Sequence, residues 1–410
     1  MAVTGSLGEL TEVTGGVTAA KGFLAGVAEA DVRGDGVPRP DLALIVSERP
    51  ATAAAVFTTN SVKAAPVVIS QLHVKRGLAR AIVVNSGNAN ACTGARGLGD
   101  ALRMAQAAAD AVDCPPGEVL VASTGVIGRP MPVERILGGI GRAAAVLGPH
   151  GEQAARAIMT TDTYPKQAAV AVALEGVEHV VGGIAKGSGM IHPEMATMLA
   201  FVTTDVRVEA DTARALLRES VRQSFNRISV DGDMSTNDCC FLLANGAADG
   251  PEIRSGTPAL QQLREALDRV LGSLAAQIVA DGEGATRTFS VRVLGAADEL
   301  QALRAARTVT TSPLVKTAIH GGDPNWGRIL AAVGRSGAEL ALDRCRLVIE
   351  GEELFALGQV VEGAVERVAP RLLRPRVAIE INLGVGEAEA TALGCDLSPD
   401  YVRINADYST

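Results

Sequence analysis

Residues 186–201 read KGSGMIHPEMATMLAF, and the reading of this stretch decides how the whole chain is understood. A polar, glycine-flanked lead-in stops at Thr197 and runs straight into apolar residues. Two readings fit: a loop entering a buried core strand, or a chain built to be cut at that junction. In the second, the Thr197 hydroxyl attacks the carbonyl of Ala196, whose small side chain leaves it open. The resulting ester hydrolyses and frees a new N-terminal threonine. Such a terminus carries its own base, because an α-amino group with a pKa of roughly 7.7–8.0 is partly unprotonated near neutral pH. A threonine and its own amine form one of the self-activated nucleophile pairs. The Ala-Thr pair alone does not choose between the readings, since threonine is also at home in strands.

The rest of the chain bounds the problem. At 410 residues it exceeds the ~250–300 at which a single core stops growing, which predicts two lobes or one large layered unit. Hydrophobic residues make up 47% but aromatics only 3%, with Trp326 the single tryptophan, so the core has to be built from Ala, Val, Leu and Ile. A net charge of −8 and no Lys/Arg block argue against nucleic acid as a partner, because phosphate recognition needs a clustered basic surface. A small molecule is the better partner. No uncharged segment reaches the ~18–20 apolar residues of a membrane span, and MAVTGSLGEL has neither a basic start nor an apolar core of a signal peptide. These features point to a soluble cytoplasmic protein with no membrane partner. The six cysteines, Cys92, Cys114, Cys239, Cys240, Cys345 and Cys395, show no CxxC spacing and read as reduced, buried thiols.

Patterning predicts strands at LALIVS, AAVFTT, AIVVNSGN, VLVASTGV and MATMLAFVTTD, and helices at GLGDALRMAQAAADAV and VERILGGIGRAAAVL. Further on, DTARALLRESVRQSF and PALQQLREALDRVLGSLAAQIVA are amphipathic helices, while RTFSVRVLG, CRLVIEG and RVAIEINLG alternate as half-exposed strands do. No fixed period recurs. Helices and strands mixed without strict βαβ alternation predict an α+β layered fold.

Several familiar chemistries have no sequence support. Neither GxGxxG nor GxxxxGK[ST] occurs, and the five histidines lack zinc spacing. DGDMSTNDCCFL at 231–242 starts like a calcium loop, but Thr236 stands where glycine is needed and Leu242 where the bidentate Glu belongs. His192 sits one turn before Thr197, yet a terminal amine already supplies the base, and His-Pro suits an extended loop.

What resolves the opening stretch is a set of ordered motifs: KGFLAGV at 21–27, VFTTNSVKAAPV at 56–67, VVNSGNANACTG at 83–94, ASTGVIG at 122–128, TTDTYPK at 160–166, GSGMIHPEMATMLAF, SVDGDMSTND at 229–238, DGEGATR at 281–287, GGDPNWGRI at 321–329 and the terminal YVRINADYST. Together they resemble, over nearly the whole chain, the glutamate N-acetyltransferase (ornithine acetyltransferase) family of arginine biosynthesis. Two positions depart from the family's usual residues, Glu194 where Asn is more frequent and Ala20 where Pro is. Neither carries chemistry.

The resemblance implies an αββα sandwich. It also implies self-cleavage between Ala196 and Thr197, with residues 1–196 and 197–410 forming one folded unit and such units pairing as α2β2. By the same resemblance Thr197 is the acyl-accepting nucleophile and Thr124 and Gly125 form the oxyanion hole, which suits a strand end followed by glycine. Thr163, Lys186, Thr197, Glu283, Asn405 and Thr410 are its implied substrate contacts. A cation at Lys186 suits an amino-acid carboxylate, and an anion at Glu283 suits the far ammonium of ornithine. The implied reaction is ping-pong transfer of acetyl from N2-acetyl-L-ornithine to L-glutamate, with no bound cofactor and no metal. Many members also accept acetyl-CoA as donor, and no separate CoA signature is present. Two rival readings are an amidohydrolase or aminopeptidase with the same threonine, in which water replaces glutamate, and a non-enzymatic amino-acid-binding protein.

Overall fold

A computed structural model describes residues 10–192 and 198–407. Ala196, Thr197 and Thr410 lie outside them. In chain order the first strands are β1 (Thr11–Glu12), β2 (Phe23–Ala28), β3 (Leu42–Phe57), β4 (Leu78–Asn88), β5 (Val119–Val126), β6 (Lys166–Leu174), β7 (Val177–Lys186), β8 (Leu199–Thr204), β9 (Ile228–Ser229) and β10 (Cys239–Ala244). Between them run helices α1 (Ala65–His73), α2 (Gly94–Val112), α3 (Val133–Ala144), α4 (Gly151–Ala157) and α5 (Ala210–Gln223), followed by α6 (Ala259–Ala280).

Nine of these strands form one sheet in the order β1-β6-β7-β8-β10-β3-β4-β5, with β2 also paired to β3. Strand β3 explains its shape. LALIVS and AAVFTT, predicted as separate strands, are two parts of this 16-residue strand, and the register shifts between Val46 and Ala51. Its first half pairs with β2 and β4, its second half with β10, so one sheet folds back over itself.

Side chains alternate across the strands, and the cores follow. Ala43 and Ile45 of β3, Ile82 and Val84 of β4, and Leu120 and Ala122 of β5 meet Leu199 and Phe201 of β8 and Phe241 and Leu243 of β10 in the space between the two halves. Phe201 and Phe57 both pack on Phe241, with ring centroids 5.6 and 5.7 Å apart, so three of the chain's seven phenylalanines meet at this seam. The opposite-facing Leu42, Leu44, Val46, Val83 and Val121 pack under α2 and α3. On the far side, Ala200, Val202, Cys240 and Leu242 pack under α5 and α6. The layering is α, β, β, α. Strand β8, which follows Thr197, lies between β7 from before it and β10 from after it.

A second sheet comprises β9 and the later strands β11 (Thr288–Ala296), β12 (Arg346–Ile349), β13 (Glu352–Ala356), β14 (Gln359–Val360), β15 (Arg376–Asn382) and β16 (Ala388–Cys395). Helices α7 (Glu299–Thr310), α8 (Pro313–Gly321), α9 (Trp326–Gly334) and α10 (Ala364–Val368) accompany it around its own core. The chain then turns back in α11 (Pro399–Asp407).

Two expectations are corrected. Helix α2 begins at Gly94, before the predicted Gly97. Cys92 is exposed and Cys114 half-buried, while the other four thiols are buried. Cys92 belongs to the polar turn after β4 and has φ 58°, so apolar neighbours in sequence were a poor guide to its burial. Among the described residues no helix is long and apolar enough to cross a membrane.

Candidate active site

The space between the two halves of the folded sheet opens at one end. There the apolar alternation is broken by polar residues on the same inward face: Thr124 two residues after Ala122, and Lys186 two residues after Ile184. Both line one pocket, with Gly125, Thr160, Thr161, Ser235, Asn237, Glu283 and Asn405 also on its wall.

The Thr124–Gly125 turn has a backbone cause. Strands β4 and β5 run parallel, with Gly87 opposite Gly125, and their register slips at Asn88. Gly125 has φ +131°, and a Cβ there would sit 2.3 Å from the Gly87 carbonyl carbon and 2.5 Å from the Asn88 nitrogen. Only glycine permits that approach. The Asn237 side chain braces the turn, its Nδ2 donating to the Ala89 carbonyl at 2.6 Å and the Ser123 carbonyl at 2.9 Å.

Lys186 is buried at the end of β7. Its Nζ donates to Thr160 Oγ1 at 2.8 Å and stands 3.8 Å from Asp162. Burial pulls its ammonium below the usual lysine value, and Asp162 opposes that pull. Behind it lies a buried ionic network. Lys166 Nζ donates to Asp162 at 2.7 Å and to Asp281 at 2.5 Å, and Asp162 also accepts from the amides of Thr160 and Gly187. Burial pushes the Asp162 carboxyl up, but Lys186 and Lys166 together outweigh it and hold the group at about 2.

Glu283 arrives on the loop after α6, its amide donating to the Ser188 carbonyl at 2.9 Å. A Cβ on Gly189 would lie 2.3 Å from the Glu283 carboxyl carbon, so the glycine in KGSG leaves room for this carboxylate. Asn405 reaches across from α11 and donates to Glu283 Oε2 at 2.8 Å. The lead-in to the threonine is pinned as well: Asp231 accepts from the amides of Met190 at 2.6 Å and Ile191 at 2.9 Å. At the start of the strand that follows, Met198 N donates to Asp238 Oδ1 at 3.0 Å.

Of the residues singled out from sequence, Thr124, Gly125, Lys186, Glu283 and Asn405 meet in this pocket. Thr163 does not line it. Its hydroxyl and amide both donate to Asp281, and it faces a neighbouring depression beside Asp400 and Arg403. Sequence reasoning passed over Thr160, Thr161 and Asn237 on the wall and Asp162, Lys166, Asp281 and Asp238 behind it. All lie inside or beside motifs quoted above, but nothing in a lone Asp or Lys signals that it will be buried. Among the described residues no group of His, Cys, Asp and Glu side chains could hold a metal ion.

An α+β sandwich whose seam ends in a glycine-built turn, a buried lysine and a clamped carboxylate suits an acyl-transfer enzyme, and that is the class to which the chain's relatives belong. The chain belongs to the ArgJ family, whose model matches residues 24–410. It is similar to the arginine biosynthesis bifunctional protein ArgJ of Symbiobacterium thermophilum, 51% identical over 97% of this chain and 99% of that protein. The ArgJ of Dehalococcoides mccartyi is 46% identical over 97% and 98%. Among solved structures, an arginine biosynthesis bifunctional protein ArgJ chain from Bacillus halodurans superposes with a TM-score of 0.50 at 39% identity, covering 51% of this chain and 98% of its own length.

Proposed function

We propose that this chain is a self-cleaving acetyltransferase that moves the acetyl group of N2-acetyl-L-ornithine to L-glutamate through an acetyl ester on Thr197. Cleavage between Ala196 and Thr197 leaves residues 1–196 and 197–410 in one folded unit, and these units pair as α2β2. Strand β8 between β7 and β10 supports the single unit, because neither piece keeps the seam core alone. The half-length Bacillus halodurans chain has the size of one cleavage product.

The carrying observation is that residues 124–125, 186, 283 and 405 converge on one pocket at the end of the seam, next to the strand that Thr197 leads into. The steps follow from their chemistry. The Thr197 amine takes the hydroxyl proton as Oγ bonds to the acetyl carbon, and the carbonyl electrons move onto an oxyanion facing Thr124 and Gly125. When the tetrahedral species collapses, the bond to the ornithine nitrogen breaks and that nitrogen takes the proton from the ammonium. Ornithine leaves, the glutamate amine attacks the ester, and Thr197 regains its proton as N-acetylglutamate departs. Lys186 holds the substrate α-carboxylate and Glu283 the distal ammonium, while Thr163 acts from behind through Asp281. Thr410 is carried as a further substrate contact on the family resemblance alone. This chemistry needs no bound cofactor, and the same threonine would serve acetyl-CoA as well as acetylornithine as donor. The enzyme works in the cytoplasm.

Denaturing intact-mass measurement tests the cut: two chains ending at Ala196 and beginning at Thr197 support it, and one stable full-length chain removes the base. Acetyl-labelled acetylornithine tests the acceptor. Label appearing in N-acetylglutamate faster than in free acetate supports transfer, whereas acetate as the main product would mark an amidohydrolase.

A further inference from the structure

We infer that a cleft on the far side of the Gly87–Gly125 turn from the active pocket binds phosphate, and that it holds the phosphorylated end of a coenzyme A thioester donor. The identity of the donor rests on the acetyl-transfer reading above; the anion site itself does not.

The cleft has a volume of about 520 Å³. Three separate stretches wall it: the loop after β2, the end of β4 at Gly87 and Asn88, and the segment running from the end of β5 into α3. Arg33, Arg129 and Arg135, far apart in sequence, all line it, and all three are exposed. Their backbones are braced. Buried Asp41 accepts from the amides of Ala30 at 2.6 Å and Val32 at 2.7 Å, which fixes the loop carrying Arg33. Asn88 Nδ2 donates to the carbonyls of Arg129 and Pro130 at 3.3 Å each, which ties that segment to the end of β4. A Cβ at Gly87 would lie 2.8 Å from Arg33 Cγ, so the glycine lets the arginine stem lie across the turn.

The charges in the cleft do not balance. Arg135 Nη1 donates to the Asp31 carboxylate at 2.7 Å and to its carbonyl at 3.0 Å, and Asp35 pairs with Arg39. Arg33 reaches only a neutral acceptor, the Thr160 carbonyl, at 3.4 Å. Among the described residues the Arg129 guanidinium has no hydrogen bond or ion pair. Two unmatched guanidinium groups therefore share one cleft in a chain whose net charge is −8. Guanidinium is suited to phosphate because its N–H groups bond two oxygens at once. A diphosphate divides its charge over two groups, which matches two arginines. The Arg135–Asp31 pair is exposed and so weak enough to be redirected to a ligand.

Position connects the cleft to the chemistry. Gly87 and Val126 line the cleft, whereas Gly125 and Ile127 line the active pocket, so a wall one turn thick separates the two. Thr160 joins them, its carbonyl accepting from Arg33 and its hydroxyl from Lys186 Nζ. A ligand anchored by phosphate in the cleft needs a long arm to bring an acyl group round the turn. Coenzyme A has that form, with its phosphates at one end and the thioester at the other. Acetylornithine has neither phosphate nor arm, so the cleft serves the thioester donor alone.

Isothermal titration of the wild-type enzyme with coenzyme A, pantetheine and pyrophosphate tests the site without turnover. Coenzyme A should bind and pyrophosphate should displace it. Pantetheine, which has the arm but no phosphate, should bind at least about tenfold more weakly. Arg33→Gln and Arg129→Gln should each weaken coenzyme A about tenfold, the scale of one charge-assisted hydrogen bond. KM for acetyl-CoA should rise by the same factor while KM for acetylornithine holds. Both side chains are exposed, so neither substitution disturbs the core. The affinity should also fall with added salt, as it does for exposed charges. A coenzyme A affinity unchanged in both variants, or equal to that of pantetheine, overturns the inference. Pyrophosphate that binds through the arginines without competing with coenzyme A gives the cleft to another phosphate ligand and overturns the donor's place there. The two readings fail separately. Transfer from acetylornithine by an enzyme that does not bind coenzyme A sinks the cleft alone. Arginine-dependent binding of coenzyme A by an enzyme that transfers acetyl from neither donor sinks the acetyl-transfer reading and leaves the anion site standing.

Discussion

Asn405 Nδ2 donates to Glu283 Oε2 at 2.8 Å across 122 residues of chain, and so ties the final helix to the loop that carries the pocket's carboxylate. The same Nδ2 donates to the Tyr401 carbonyl at 3.0 Å, which fixes the amide within α11. Asn405→Ala leaves the helix intact and frees the carboxylate. With an exposed partner the loss should be about 1 kcal/mol, read as a roughly fivefold rise in KM for acetylornithine with cleavage and Tm unchanged. An unaltered KM would detach Asn405 from substrate binding.

Much of the architecture could be read from the sequence, because every core strand alternates faces and every long helix is amphipathic. What could not be read is how far the elements continue. LALIVS and AAVFTT are joined through Glu48, Arg49 and Pro50, three exposed residues that read as a break, yet the backbone stays extended through them and lets the sheet fold over. The C-terminal motif resembled its family but gave no sign that Asn405 sits on a helix held by Glu283. Asp162 and Asp238 were quoted within motifs and passed over, because their partners Lys186 and Met198 reach them only once β6 pairs with β7 and β8 with β10.

Gly125→Ala puts a methyl group 2.3 Å from the Gly87 carbonyl carbon, in a backbone region that side chains rarely adopt. Strand β5 must move away from β4, and the proposed oxyanion turn moves with it. We expect kcat to drop at least 10²-fold, the usual consequence of losing one oxyanion donor, together with a lower Tm from overpacking worth roughly 1–3 kcal/mol. Full activity would show that the close approach of Gly87 and Gly125 is not needed for chemistry.

The Asp162 carboxyl, held at about 2 against an ordinary 3.8, is better stabilised as a carboxylate in the native state than in the unfolded one, and so stabilises the fold wherever both are ionised. Because the folded pKa is the depressed one, this contribution is complete above about pH 4 and fades as pH falls toward 2. A shift of this size corresponds to about 2 kcal/mol. Asp162→Asn should therefore melt below wild type at pH 7, and the gap should close between pH 4 and pH 2. A gap independent of pH would mean that packing, not the charge of Asp162 beside Lys166 and Lys186, stabilises this corner.

Gly189→Ala separates the carboxylate from the fold. The added methyl would meet the Glu283 carboxyl carbon at 2.3 Å and its oxygens at 2.3 and 2.5 Å. That group is the free end of a side chain, so it can swing aside while the backbone stays in place. Gly189 is also not among the glycines with positive φ, so alanine brings no backbone strain. The variant should fold, cut and melt like wild type. Glu283 would lose its proposed seat opposite the distal ammonium, and KM for acetylornithine should rise roughly tenfold, the scale of one charge-assisted hydrogen bond, while KM for glutamate, which has no such ammonium, changes less. Equal rises for both substrates would show that Glu283 shapes the pocket as a whole and does not read the ornithine side chain.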